Sequence, residues 1–442
     1  MRVLRHRDFR LLFIGQSASQ IGTQAVIVAM ALYITRRTGS ATDLSVILGA
    51  GSLPLVALIV FGGVWADRLP RHRVVIASDS VRAILHTSLG VLILTGAPAI
   101  WLIALIEAAS GMAQAFFQPA YVGLVPQTVP EAEIQAAQAL RGTLENASIV
   151  IGPLIATAVV LSLGAGEAFL LDAASFALGA VLLVPVRPRR RGRLGAGAPA
   201  GAVQSREASG AGAPASFVSD LRAGYREVRL RSWLWVTIIA YTAVALCTVV
   251  PLMALGPLAV RDTYGSVGLY GLLIATYGLG SLVASLLAAV WHPRRPLRLA
   301  LALGALWPLV GLLVALALPR AVLMLGAVVS GGAGALAGVW WETTLAHHIP
   351  PGALSRVSSW DHMGSLALMP LGYAAVGPLA ALLGVRWVLG AGAGLGMLVA
   401  LVALIPRSAR SLPAHAEAGP PASGPGGPGV GSQPSSSRAS AV

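Results

Sequence analysis

The sequence predicts an all-α polytopic membrane protein whose twelve transmembrane helices form two six-helix halves. Of the 442 residues, 56% are hydrophobic and only 11% are charged, whereas soluble domains carry about 25% charged residues. The hydrophobic residues lie in runs of about 20, the length that a helix needs to cross a hydrocarbon core of roughly 30 Å. Short sequence patterns also repeat in the same order in the two halves of the chain.

Twelve apolar runs, separated by glycine, proline and charged residues, define the predicted spans. Those of the first half lie at 11–34, 44–66, 74–95, 99–121, 142–163 and 167–186. Those of the second half lie at 233–257, 267–291, 297–318, 321–342, 361–383 and 386–406. Connections of only a few residues make consecutive helices antiparallel neighbours.

The composition between and after these spans predicts four regions. Residues 1–186 form the N-terminal six-helix half, and residues 233–406 form the C-terminal six-helix half. Residues 187–232 form a cytoplasmic linker that is rich in Arg, Gly, Ala and Pro at its start. Within the linker, apolar residues recur at helical spacing from Phe217 to Val228 and predict an amphipathic helix on the inner membrane surface. Residues 407–442 read as a disordered cytoplasmic tail.

The distribution of arginine residues predicts how the chain is oriented in the membrane. All 31 basic residues are arginine, and the net charge is +14. With the N-terminus inside, Arg82 falls within a span and 25 arginines lie on the cytoplasmic side. The opposite side holds only five, namely Arg36, Arg37, Arg261, Arg320 and Arg386. Because cytoplasmic loops carry the excess of positive charge, both termini are predicted to be cytoplasmic. The positive charge therefore indicates a multi-pass protein of the cell inner membrane rather than one that binds nucleic acid.

Matching patterns in the two halves predict a duplicated six-helix unit. Val129-Pro130 follows the fourth span and Ile349-Pro350 follows the tenth, an offset of 220 residues. Gly152 and Gly372 lie at the same offset. Gly49-Ala-Gly-Ser-Leu in the second span is also similar to Gly278-Leu-Gly-Ser-Leu in the eighth.

The segment 63–73, Gly-Val-Trp-Ala-Asp-Arg-Leu-Pro-Arg-His-Arg, ends the second span. It closely resembles motif A of the major facilitator superfamily, G-x-x-x-D-[RK]-x-G-x-[RK]-[RK], with proline at the second glycine position. The resemblance implies a conformational gate made of Gly63, Asp67, Arg68, Arg71 and Arg73. It further implies that the acid meets the start of helix 11, near 358–361, where exposed backbone N–H groups favour an anion. Such a latch would hold the halves together on the cytoplasmic side and favour an outward-open state.

Other segments resemble one branch of that superfamily. Phe9-Arg-Leu-Leu-Phe-Ile-Gly-Gln, Phe117-Gln-Pro-Ala and Phe169-Leu-Leu-Asp-Ala-Ala-Ser-Phe look like segments of the drug and siderophore exporters, which include enterobactin exporters and macrolide efflux proteins. Gly152-Pro153 on helix 5 resembles the core of motif C, which is associated with antiporters. The resemblance thus implies export.

Helix 4 carries a polar stripe. Glu107, Gly111, Gln114 and Gln118 are spaced i, i+4, i+7 and i+11, so they share one face, which is predicted to face the transport cavity. An ionisable residue within a span is costly and marks a functional site by default. Glu107 is therefore predicted to bind a proton or a cationic substrate. The alternative is a structural glutamate that is hydrogen-bonded to a neighbouring helix.

Three further residues are predicted to line the cavity, namely Gln16 and Gln20 on helix 1 and Tyr241 on helix 7. Asp79 and Arg82 lie one turn apart on helix 3, where a local ion pair is favoured over a proton relay. Asp172 on helix 6 is predicted to serve packing and hydrogen bonding.

The sequence predicts no cofactor, no metal and no enzyme. A phosphate-binding loop of the G-x-x-x-x-G-K-[ST] type needs a lysine, and the chain has none, which excludes ATP-driven transport by this chain alone. The single cysteine, Cys247, excludes a cysteine-cluster metal site, and His347 and His348 lack further nearby ligands.

The expected function is proton-coupled secondary active efflux of small amphipathic organic compounds by alternating access. The expected partners are a small-molecule substrate, protons and the lipid bilayer, and the protein is expected to be a monomer. Two alternatives stay open: uptake of a metabolite by proton symport, and a lipid-handling or non-transporting membrane protein on the same fold.

Overall fold

The computed structural model describes residues 3–188, 226, 228–291, 293–349, 357, 360–361 and 367–406, and only the backbone at 60–68 and 289. The predicted linker from 189 to 225, including most of its amphipathic helix, lies outside the described residues. So do the predicted tail at 407–442 and the start of helix 11 at 358–359.

Six helices form the N-terminal half: α1 (Arg7–Arg37), α2 (Ala41–Arg68), α3 (Arg71–Thr95), α4 (Ile100–Leu124), α5 (Ile134–Ser162) and α6 (Ala165–Leu183). The C-terminal half contains α7 (Ser232–Tyr264), α8 (Gly268–Val290), α9a (Pro296–Gly304), α9b (Leu309–Ala315), α10 (Arg320–His348), α11 (Met369–Leu383) and α12 (Val385–Val402). In the described part of the chain, eleven helical stretches are long and apolar enough to cross a membrane, with α9a and α9b counted together, and α11 is a shorter apolar helix. The predicted all-α, twelve-span architecture is confirmed.

The ninth span is broken, although the sequence predicts one continuous helix at 297–318. Pro308 has no N–H to donate, and its ring collides with the carbonyl four residues earlier in a regular helix. That residue is Gly304, where α9a ends. The break leaves the carbonyl of Trp307 without a helical donor, and the Ser330 hydroxyl on α10 donates to it instead.

Helix crossings have the same geometry in both halves. A Cβ atom added at Gly111 on α4 would lie 2.0 Å from the carbonyl oxygen of Gly51 on α2. A Cβ atom added at Gly331 on α10 would lie 1.9 Å from the carbonyl oxygen of Tyr277 on α8. Gly111 and Gly331 are 220 residues apart, the offset that the sequence patterns show. Glycine therefore allows the backbones to touch at equivalent crossings.

The same correspondence holds for Gly152 and Gly372. Gly152 on α5 packs against the backbone of α1 at Ala25, and its added Cβ would lie 2.9 Å from the Ala25 nitrogen. Gly372 on α11 packs against α7, and its added Cβ would lie 3.2 Å from a Val250 methyl group. The pairs α1–α5 and α7–α11 thus occupy matching places in the two halves.

The halves meet through α5 with α8 and α2 with α11. At the first contact, a Cβ atom added at Gly271 would lie 1.7 Å from the Thr157 hydroxyl. At the second, one added at Gly377 would lie 2.9 Å from the Cα atom of Thr42. The arginine distribution places all four residues toward the extracellular ends of their helices.

The buried apolar clusters show where the described parts of the two halves are joined. The largest cluster draws on both halves, for example Ile34 and Leu255, and its members lie in the extracellular parts of the helices. A second cluster, which includes Phe9, belongs to the cytoplasmic part of the N-terminal half alone. A third, which includes Trp233 and Trp341, belongs to the cytoplasmic part of the C-terminal half alone. Among the described residues, the two halves are thus joined on the extracellular side, the side that is closed in an inward-facing transporter.

Candidate functional site

A cavity of about 170 Å³ lies between the halves, where they come together near the middle of the membrane. Helices α1 and α5 line it from one side, and α7, α8 and the ninth span line it from the other. Its lining is mostly aliphatic, with the predicted motif C residue Pro153 among the wall residues. Polar groups reach it from Gln24, Thr248, Tyr277 and Trp307. The Trp307 indole N–H donates to the Tyr277 hydroxyl at 2.8 Å.

The Thr248 hydroxyl is buried without a hydrogen-bond partner among the described residues. An unpaired buried hydroxyl is costly unless another polar group reaches it. Thr248 therefore offers a bound molecule a hydroxyl group whose hydrogen-bonding capacity is unused among the described residues.

Arg261 closes the extracellular side by joining the ends of two helices from different halves. Its guanidinium Nη1 donates to the carbonyl oxygen of Thr35 at 2.7 Å, near the end of α1. The last carbonyls of a helix lack intrahelical donors and carry partial negative charge. The guanidinium also lies 3.0 Å from where a Cβ atom would stand on Gly39, whose φ of +62° itself favours glycine. Arg261 pairs as well with its neighbour Asp262.

Arg261→Ala is expected to shift the population away from the inward-facing state. A hydrogen bond from a charged donor contributes about 1.5–3 kcal/mol, which corresponds to about a tenfold to hundredfold change in the equilibrium. Spin labels at Leu163 and Ser266, in a Cys247→Ser background, would report the separation of the extracellular ends. Asp262→Asn is the matched control, because it removes the local ion pair and keeps the bridge. Unchanged distances in Arg261→Ala would show that the bridge does not set the state.

A second polar site lies inside the N-terminal half. Asp79 and Arg82 form the ion pair that the sequence predicts, and they are 0% and 2% exposed. The Gln16 amide donates to Asp79 Oδ2 at 2.9 Å, and Arg82 donates to Oε1 of the Gln114 side chain at 2.5 Å. The Arg82 guanidinium also lies between the rings of two phenylalanines, 4.3 Å from that of Phe117 and 4.2 Å from that of Phe176.

His86 continues this buried polar group one turn further along α3. Its Nδ1 atom lies 2.6 Å from Oδ2 of Asp172 on α6. Its Nε2 atom lies 3.2 Å from the Ser110 hydroxyl on α4. The exposed fractions of His86 and Asp172 are only 4% and 1%. Asp172 thus makes the hydrogen bond that the sequence predicts for it, with a partner 86 residues away.

The helix 4 stripe does not line the cavity between the halves, contrary to the sequence-based expectation. Gly111 packs against α2, Gln114 bonds Arg82 on α3, and Gln118 is exposed. Glu107 packs near Gly51 of α2, and its Oε1 atom is buried without a hydrogen-bond partner among the described residues. Glu107, Gly111 and Gln114 thus meet helices of their own half.

The other predicted cavity residues are also placed differently. Gln16 is fully buried against Asp79, and Gln20 is half-buried on α1 but outside the cavity wall. The Tyr241 hydroxyl lies 3.4 Å from the Ala337 carbonyl, and its ring packs edge-on against Trp341. The side chains of Gln16 and Tyr241 are therefore held by neighbours within their own half.

Part of the predicted motif A gate lies outside the described residues. Only the backbone of Gly63, Asp67 and Arg68 is described, as the end of α2. Arg71 donates to the carbonyl oxygen of Gly123, at the end of α4, at 2.8 Å. Arg73 is exposed at the start of α3. The latch with the start of helix 11 therefore stays a prediction.

Sequence reasoning missed His86, Arg261 and the polar cavity residues. A signal for His86 was available, because it follows Arg82 by four residues and so shares its helix face. Arg261 carried no such signal, because its partner is a backbone carbonyl 226 residues away. Trp307 reaches the cavity through the break in the ninth span, and the apolar pattern of that span conceals the break.

Two matching helical halves that meet at their extracellular ends around a central cavity are an architecture that many membrane transporters share. The family model described as Major Facilitator Superfamily matches residues 12–258, more than half of the chain. The chain belongs to the Major Facilitator Superfamily, and it is a multi-pass membrane transporter.

Among curated relatives, macrolide efflux protein A of Streptococcus pyogenes is 28% identical over 151 residues, which are 34% of this chain and 36% of the relative. The multidrug efflux pump Tap of Mycolicibacterium fortuitum is 28% identical over 184 residues, 40% of this chain and 44% of the relative. The chain thus matches less than half the length of these relatives.

Solved structures share the fold. The nucleoside transporter NupG has a TM-score of 0.70 at 11% identity, over 90% of this chain and 98% of that one. A bacterial homologue of the human lysosomal transporter Spinster, in an inward-facing and unoccupied conformation, has a TM-score of 0.62 at 15% identity, over 90% and 95% of the two chains. At such identities the likeness concerns the fold alone.

Proposed function

We propose that this protein exports small amphipathic organic compounds across the cytoplasmic membrane in exchange for protons. The observation that carries the proposal is the Glu107 carboxyl group, which is buried within a membrane span and has an oxygen without a partner among the described residues. An unpaired carboxylate is costly at that depth, whereas the protonated group is neutral. Glu107 is thus suited to take up a proton in one state of the transporter and to release it in another.

The cavity supports an amphipathic substrate. Its wall is mostly aliphatic, and its few polar groups, at Gln24, Thr248, Tyr277 and Trp307, are uncharged. Apolar walls with a small number of placed hydrogen-bonding groups suit organic molecules that are largely apolar. Relatives that are named for macrolide efflux and multidrug efflux support the outward direction.

The proposed cycle alternates between two states. In the outward-open state, which the Asp67 latch would favour, a proton from outside reaches Glu107 and the substrate leaves. The protein then adopts the inward-facing arrangement, which Arg261 stabilises by bridging the extracellular ends of α1 and α7. There the proton is released toward the cytoplasm and a new substrate enters the cavity.

Transport by the purified protein in proteoliposomes tests the proposal. Molecules whose cytoplasmic face points into the bulk solution are expected to accumulate ethidium in the lumen when the lumen is acidic. Dissipating the proton gradient with an ionophore is expected to stop the accumulation. Accumulation only when the bulk solution is the acidic side would indicate uptake by symport and would overturn export. Ethidium transport that does not depend on the proton gradient would overturn proton coupling.

Glu107→Gln is expected to reduce gradient-driven ethidium accumulation to the level of protein-free liposomes. The amide keeps the size of the side chain and removes its ability to bind and release a proton. Glu131→Gln is the matched control, because Glu131 is exposed in the loop before α5. Full gradient-driven transport in Glu107→Gln would assign Glu107 a structural role instead.

A further inference from the structure

A groove runs along the outer surface of the N-terminal half between α3 and α4. It shares no lining residue with the cavity between the halves. Its volume is about 440 Å³, within the range of ~300–1,000 Å³ that is usual for small-molecule sites. The groove is therefore large enough for a ligand and lies outside the path between the halves.

The groove exists because small side chains face each other across the two helices. Ala77 on α3 and Ala109 and Ala113 on α4 line it, and none of them is long enough to fill the space between the helices. Val81 and Met112, which also line it, are 45% and 43% exposed within two membrane spans. The groove therefore opens toward the hydrocarbon of the bilayer and presents apolar atoms to it.

One end of the groove carries a positive charge. Arg73, the one charged residue of the lining, is exposed on the first turn of α3, and it forms no ion pair with the side chains that the structure describes. The start of a helix adds partial positive charge, and no described side chain caps the start of α3. The arginine distribution places this end at the cytoplasmic surface. Val81 lies deeper, about 12 Å along α3 from Arg73 at 1.5 Å per residue.

We propose that this groove binds an anionic phospholipid of the cytoplasmic leaflet, with the headgroup phosphate at Arg73 and an acyl chain between α3 and α4. A guanidinium group matches the geometry of a phosphate, and basic pockets between membrane helices on the cytoplasmic side suit anionic headgroups. A free phosphate ion would use the charged end and leave the apolar groove empty, so the combination of charge and shape favours a lipid. The site depends neither on the direction of transport nor on its coupling.

Native mass spectrometry of the purified protein tests the headgroup contact. The protein is released from micelles that contain equal amounts of phosphatidylglycerol and phosphatidylcholine with the same acyl chains, and the bound lipids are counted. Wild type is expected to retain phosphatidylglycerol in preference. In Arg73→Gln the ratio of bound phosphatidylglycerol to phosphatidylcholine is expected to fall about fivefold, the effect of one arginine near an anionic headgroup. Arg10→Gln is the matched control, because Arg10 is exposed near the cytoplasmic end of α1 and outside the groove.

Ala77→Trp tests the acyl-chain contact. Ala77 is exposed within the groove, so an indole ring there would occupy the groove without entering the packed interior. This variant is expected to lose the preferentially bound phosphatidylglycerol. Ile84→Trp is its control on the same helix, because Ile84 is 66% exposed and lies outside the groove. It is expected to bind lipid like the wild type.

Three results would overturn the proposed site. One is an unchanged lipid ratio in both Arg73→Gln and Ala77→Trp. Another is a lower ratio in Arg73→Gln with wild-type lipid binding in Ala77→Trp, which would show attraction of the headgroup without an acyl-chain site. The third is removal of the bound phosphatidylglycerol by excess inorganic phosphate, which would assign Arg73 to a free anion.

Discussion

Arg82→Met is expected to destabilise the folded protein by about 3–5 kcal/mol, the usual cost of removing one partner of a buried ion pair. The substitution leaves the Asp79 carboxylate, which is 0% exposed, without its counter-charge. Gln16 still donates one hydrogen bond to it, but an amide does not compensate a charge. The substitution also removes the contacts of the guanidinium with two phenylalanine rings. Thermal unfolding in detergent, followed by size-exclusion chromatography, measures the loss.

Two further variants make this prediction specific. The double variant Asp79→Asn/Arg82→Met removes both charges and is expected to recover much of the lost stability, which a double-mutant cycle quantifies. Arg141→Met breaks a partly exposed ion pair with Glu145, and such pairs contribute only about 0.3–0.5 kcal/mol. Equal stability of Arg82→Met and the wild type would mean that Arg82 does not compensate an ionised Asp79.

Gly331→Leu is expected to prevent the C-terminal half from packing. The first carbon of the new side chain would lie 1.9 Å from the Tyr277 carbonyl oxygen and 2.8 Å from its carbon. Because these are backbone atoms, α8 and α10 would have to move apart along their whole crossing. Added carbons in a packed interior cost about 1–3 kcal/mol even where side chains can adjust. The yield of monodisperse protein on size-exclusion chromatography is expected to fall to background.

Gly338→Leu is the matched control on the same helix. A Cβ atom added at Gly338 meets nothing within 4 Å, so this variant is expected to purify like the wild type. Since Gly111 makes the equivalent crossing in the first half, 2.0 Å from a carbonyl oxygen, Gly111→Leu is expected to behave like Gly331→Leu. Normal yield of both crossing variants would refute the close backbone approach.

The candidate site was predicted only in part. Glu107 was singled out because an acid within an apolar run is visible in the sequence, and the Asp79–Arg82 pair because it lies one turn apart. The polar residues of the cavity wall were not found, since Thr248, Tyr277 and Trp307 are ordinary members of apolar helices. Gln16 and Tyr241 were predicted to line the cavity, and both are held by partners within their own half.

The sequence by itself determined the twelve spans and the family and predicts the orientation of the spans, because these depend on local properties. The length of an apolar run sets whether a helix crosses the membrane, and loop arginines set its direction. Only the tertiary structure decided which helix faces meet. Helical spacing shows that Glu107, Gly111 and Gln114 share a face, but it cannot show that the face packs against α2 and α3. Likewise, the contacts of His86 with Asp172 and of Arg261 with Thr35 join distant residues, so they exist only once the helices have packed.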